Sequence, residues 1–177
     1  MQWIRNWHLR RSARRNDLHG VGAALIAGAN IDSTDKYGNA AIHLAAAAGW
    51  DDVVRFLLAR DATIDLHDPS KGVSTALARA VGHGHLRTAR LLLDSGASAN
   101  PPTVGGITPL HWAAQSGSSA MVELLLRHRA DTSVRDETTG ETPEQVALAE
   151  GHQTVSKLIR SRAHASQEDG KGVGVFH

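Results

Sequence analysis

The sequence predicts an all-α repeat array, and three observations carry the prediction. A Thr-like position recurs at Ala40, Thr75, Thr108 and Thr142, with spacings of 35, 33 and 34 residues. A helix-ending glycine recurs at Gly49, Gly84, Gly117 and Gly151, with the same spacings. Behind each glycine a second apolar segment shows the i, i+3, i+4 pattern of a packed helix, as in Val53, Val54, Phe56, Leu57 and Leu58. Two independent markers that keep one register identify a repeat.

The first copy, residues 3–32, is degenerate. Stepping back 33 residues from Ile42 gives Leu9, and Asn16 stands where Gly49 stands. Its first helix, expected at about residues 3–15, is polar and Arg-rich, as befits a capping unit whose outer face has no neighbour. Trp3 and Trp7, at i and i+4, are expected to cover the edge of its core. The second copy, 33–66, keeps Gly38, Ile42, His43 and Ala45 but carries Ala40 and Ala41 where the fourth copy has Thr108 and Pro109. The third, 67–99, has two extra loop residues and reads TALARA, so Ala78 replaces His. Gly96 is placed as the left-handed residue after its second helix.

In the fourth copy, 100–132, Gly106 closes a tight turn. Thr108 caps a short helix and Pro109 takes the first helical position, where a missing N–H costs nothing. The fifth copy, 133–163, carries Glu144 and Gln145 in place of Leu and His. Its Arg160 occupies the register of Leu58, Leu93 and Leu126. A charge there cannot sit in a further stacking interface, so this copy reads as the C-terminal cap. The stretch 164–177, HASQEDGKGVGVFH, has no period and reads as a flexible tail, with VGVF as a short docking strand.

Composition bounds the function. The 177 residues fit one or two domains, and a net charge of +1 points to no overall field for nucleic acid or membrane. The chain has no cysteine, which excludes disulfides and thiolate metal sites. No apolar run approaches the roughly 18 residues of a membrane span. The N-terminal stretch MQWIRNWHLRRSARRN lacks the apolar core of a secretory signal. It is acid-free up to Asp17 and so resembles an organellar transit peptide, yet it also aligns as a repeat.

The segment GITPLHWAAQSG, residues 106–117, carries the T-P-L-H-x-A motif. On it, and on KYGNAAIHLAAAAG in the second copy, the chain resembles the ankyrin repeat family over residues 3–162. The resemblance implies a solenoid of helix-turn-helix units joined by hairpin-like loops. It also implies that His43 and His111 brace neighbouring loops through their ring nitrogens. Four stacking interfaces among five repeats are expected to give a cooperative fold. Such arrays act as non-enzymatic protein-protein interaction modules, so the expected partner is another protein. The chain is expected to be cytoplasmic and monomeric, without cofactor.

Other chemistries find little footing. GVGAAL at Gly20 follows no strand and lies inside a helix by register, so it reads as a packing face and not as a nucleotide loop. No Ser/His/Asp set assembles with a physical reason. His83 and His85 lack a third metal ligand at a justified spacing.

Ankyrin-like arrays bind through a concave face built from first-helix positions and loop tips, and the register assigns these. On the first helices they are Arg11, Arg14 and Arg15, then Leu44, then Arg79 and His83, then Trp112 and Gln115. At the loop tips they are Lys36, Tyr37, Asn39, Lys71 and Ile107. Trp, Tyr and Arg are the types enriched at binding hot spots. The alternative is a charge-led binder, in which the N-terminal arginines dock nucleic acid or anionic membrane.

Overall fold

The structure, a computed structural model, describes residues 1–67, 74–101 and 104–169, with residues 104 and 164–169 by backbone alone. All regular structure among them is helical. By contact the chain groups into two units, Met1–Val104 and the part from Gly105 onward.

The first unit holds α1 (Gln2–Arg14), α2 (Leu18–Ile26), α3 (Ala41–Ala48), α4 (Asp51–Leu58), α5 (Ala76–Gly82) and α6 (Leu86–Asp94). Each odd helix packs on the even helix that follows it. The odd helices also pack side by side, α1 on α3 and α3 on α5, and the even helices do likewise. Two helical layers result. The residues behind this are Leu9 and Ala13 on α1, Ile42, Ala45 and Ala46 on α3, and Leu77, Ala80 and Val81 on α5, all buried. Alanines at these contacts let the helix axes approach closely. The second layer contributes Val21, Val53, Leu57, Ala89 and Leu92 to the same core.

A 3-10 turn spans Val104–Gly106, and the second unit holds α7 (Pro109–Gln115), α8 (Ser119–Arg127), α9 (Pro143–Ala149) and α10 (Gln153–Asp169). It repeats the scheme, with α7 on α8, α9 on α10, α7 beside α9 and α8 beside α10. Leu110, Met121, Leu125, Ala147 and Ile159 fill its core.

The glycine register is a backbone requirement. Gly49, Gly84, Gly117 and Gly151 have φ of 73°, 75°, 67° and 80°, and Asn16 takes the same left-handed conformation at 58°. Asn tolerates that region better than most residues. The same holds one helix later, where Gly28 and Gly96 are matched by Asp61 and Arg129 at φ of 61° and 62°.

One expectation needs amendment. Trp3 and Trp7 do not cover core: they are 71% and 45% exposed, because Leu9 and Ala13 alone turn inward from α1. Helix α10 runs to Asp169. Thr108 is the N-cap residue of α7, and its hydroxyl meets the His111 ring nitrogen Nδ1 at 2.8 Å. Gly20 and Gly22 fit the packing reading. A Cβ at Gly20 would strike Asp17, the α2 cap, and one at Gly22 would rest 3.5 Å from the Phe56 ring.

Candidate functional site

Two sets of ring hydrogen bonds hold the first-helix and loop-tip face in each unit. In the first set, His43 Nδ1 accepts the Ala40 N–H at 3.0 Å, and its Nε2 donates to the Leu66 carbonyl at 2.7 Å. His111 does the same with the Thr108 N–H, 3.1 Å, and the Glu141 carbonyl, 3.2 Å. The acceptor role of Nδ1 assigns the tautomer with the proton on Nε2. Burial pushes both imidazoles below the ordinary histidine range, so they stay neutral. The His43 ring ties the start of α3 to Leu66 at the end of its own copy, and the His111 ring ties the start of α7 to the loop of the fifth copy. Gln145 holds this position in the fifth copy and accepts the Thr142 N–H at 2.9 Å.

The second set was not legible as bracing. The residue just after each helix-ending position is Trp50, His85, Ser118 and His152. Trp50 Nε1 donates to the Arg14 carbonyl at 3.2 Å. His85 Nε2 donates to the Ala47 carbonyl at 3.0 Å, and His152 Nε2 to Gln115 at 3.1 Å. Each acceptor lies two residues before the left-handed position of the preceding copy. The rings lie against the glycines themselves: a Cβ at Gly49 would come within 2.7 Å of His85, and one at Gly117 within 2.6 Å of His152. Ser118 instead accepts from the Met121 N–H and caps α8.

The loop tips are anchored by aspartates. Asp35 accepts the Tyr37 and Asn39 N–H groups at 2.8 and 2.9 Å. Burial alone would raise its carboxyl, but the donors from Asn39 and Tyr37 outweigh it and, with nearby Arg10, hold it below the usual range. Asp136 repeats the arrangement with the Thr138 N–H and the Thr139 hydroxyl. The Glu137 N–H reaches the Gly105 carbonyl at 2.9 Å, so adjacent tips in the second unit are joined. Gly106 is required there, since a Cβ would meet the Arg135 carbonyl oxygen at 2.5 Å.

On this frame the sequence-assigned residues fall into three groups. Tyr37, 63% exposed, and Lys36, whose ammonium lies 4.8 Å from the Tyr37 ring centre, stand free at a tip of the first unit. Asn39 and Arg79 instead bond each other at 2.8 Å and fasten α5 to that tip. Exposed His83 has its ring 6.3 Å from that of His85, whose Nε2 is engaged with Ala47. In the second unit Trp112 is 41% exposed on α7, while Leu110, His111, Ala113 and Ala114 around it are buried. Gln115 is exposed beside it and Ile107 is half-buried. Lys71 lies outside the described residues.

The third group is a groove of about 480 Å³ in the first unit, lined by Trp7, Arg10, Arg11, Arg14, Arg15, Asp35 and Leu44. The Arg11 guanidinium lies 4.9 Å from the Trp7 ring centre. Arg10 reaches the Ser33 carbonyl and hydroxyl oxygens at 3.2 and 3.1 Å. Sequence reasoning found the three outer arginines and Leu44 but missed Trp7 and Asp35 as walls. The i, i+4, i+8 spacing of Trp3, Trp7 and Arg11 was the available signal.

At the outer side of the last copy, Arg160 pairs with Glu144 at 2.6 Å. These two positions are leucines, Leu110 and Leu126, in the fourth copy. Among the described residues no cluster of metal-ligating side chains occurs, and no helix is long and apolar enough to cross a membrane.

Comparison with known proteins agrees with the geometry. The family model described as ankyrin repeats (3 copies) matches residues 9–103 and again 99–169. The chain is 32% identical over 143 residues to the ankyrin repeat protein nuc-2 of Neurospora crassa, covering 80% of this chain and 13% of that one. It is 32% identical, again over 143 residues, to the probable 26S proteasome regulatory subunit p28 of Saccharomyces cerevisiae, covering 80% and 63%. It is 32% identical over 142 residues to the nuclear factor NF-kappa-B p105 subunit of Gallus gallus, covering 77% and 14%. The chain thus spans less than two thirds of the length of each of these relatives. The register of left-handed residues, the paired ring hydrogen bonds and the family match lead to one conclusion: the chain belongs to the ankyrin repeat family.

Proposed function

We propose that this chain is a non-enzymatic protein-recognition module that works in the cytoplasm, through the first-helix and loop-tip face of each unit. The observation that carries the reading is Trp112. A large aromatic ring stands exposed on α7 among four buried neighbours, in a chain that is only 4% aromatic. Exposing such a ring is unfavourable unless a partner covers it, and Trp is the type most enriched at hot spots. Tyr37 supports the reading from the first unit. The braced histidines and aspartate-anchored tips support it differently: they preform the face, which lowers the ordering cost of binding. The yeast relative is by name a regulatory subunit of a larger assembly, which favours a role in docking onto another protein.

Photo-crosslinking from the face tests this. A crosslinking residue is placed in turn at Tyr37, at Trp112 and, as controls on the second-helix layer, at Arg55 and Arg90. One discrete protein adduct from Tyr37 and Trp112, absent from Arg55 and Arg90, is expected. Adducts from the second-helix positions alone contradict the proposal.

A further inference from the structure

We infer that the groove in the first unit, walled by α1 and the Asp35 loop tip, takes a short acidic segment of a protein partner that also carries an apolar side chain. The inference rests on the recognition-module reading and names the partner's chemistry.

Charge comes first. Residues 1–16 contain five arginines and no acid. Four of these, Arg10, Arg11, Arg14 and Arg15, line the groove, and Asp35 is the one carboxylate that faces them there. That carboxylate is already occupied by the Tyr37 and Asn39 N–H groups. Arg10 spends one Nη on Ser33. Arg11, Arg14 and Arg15 are exposed, and none of them is paired with an acid among the described residues. The groove thus holds an excess of positive charge with free donors, and planar guanidinium groups match carboxylates bidentately.

Shape narrows the class. Arg10 to Arg15 span five helical steps, about 8 Å of axis. That length suits about three residues of extended peptide. It is short for a nucleic-acid backbone, which proteins track with contacts spread over many phosphates. Asp35 in the wall would repel a continuous row of phosphates, whereas a peptide can place its carboxylates away from it. Trp7 and Leu44 supply an apolar floor for one aliphatic side chain between the acids. Arg11, stacked on Trp7, is held pointing into the groove.

The test is fluorescence anisotropy on the full chain at low salt. The probe is a labelled peptide with Glu-Leu-Glu-Glu at its centre, run beside its Gln-Leu-Gln-Gln counterpart, a poly-dT oligonucleotide and phosphatidylserine vesicles. The expected result is binding of the acidic peptide, weakened about tenfold in Arg11→Ala/Arg14→Ala/Arg15→Ala, since three exposed pairs are lost. Trp7→Ala is expected to weaken it several-fold, and the Gln peptide to bind no better than the triple variant. These side chains are exposed, so melting curves of the variants should overlay the wild type. Equal binding by the triple variant, no binding of the acidic peptide, or capture of oligonucleotide or vesicles in its place would each overturn the inference. A partner crosslinked through Trp112 that the triple variant still binds at full strength sinks the groove alone and leaves the recognition module standing.

Discussion

Each side chain of the face has a partner that explains it or an exposure that asks for one. His43 and His111 belong to the first kind. In the unfolded chain both take up a proton near 6.5, whereas burial lowers that value in the folded state. Between those values the unfolded state binds more protons, so stability is full above the unfolded value and is lost as pH falls toward the folded one. The melting temperature should therefore drop between about pH 7.5 and about pH 5.5. In NMR titrations the ring protons of His43 and His111 should show midpoints below the ordinary histidine value. Midpoints near 6.5 for the two braced rings would refute the assignment. Asp61 is a different case, an L-residue with a side chain held at φ 61°. Asp61→Gly should raise stability by about 1 kcal/mol, read from urea unfolding. Much of this scale was legible in the sequence. The family resemblance implied the bracing by His43 and His111, and the register placed Asn16 where Gly49 stands. The exposure of Trp3 and Trp7 did not, because spacing gives the stripe a residue belongs to and not what lies opposite.

At the scale of elements, a helix pair is fastened to its neighbour by a ring that rests on a glycine. The sequence showed the glycines as helix stops, with His85 and His152 each one residue after such a stop. It could not show that ring and stop of adjacent copies touch, since their separation depends on how closely the alanine-lined helices approach. A contrast between glycines checks this. Gly49→Ala and Gly117→Ala meet both the left-handed penalty and a ring, and should cost about 2 kcal/mol or more. Gly84→Ala, whose added Cβ meets nothing within 4 Å, should cost only the backbone part, about 1 kcal/mol. Equal losses at the three sites would remove the ring contact from the account.

For the whole molecule, sequence register alone led to one cooperative array. Within the first unit ring residues run from Trp50 to the Arg14 carbonyl and from His85 to the Ala47 carbonyl, and within the second from His152 to the Gln115 carbonyl. Function is least legible at this scale, because a partner leaves no mark in the chain beyond the side chains it would cover. The most direct measurement is the affinity of the partner crosslinked at the face, compared between wild type and Trp112→Ala, with melting followed alongside. A loss of about 2 kcal/mol or more in binding at an unchanged melting temperature is the predicted result. Unchanged affinity, or a loss of binding that merely tracks a loss of folding, would contradict the proposed recognition face.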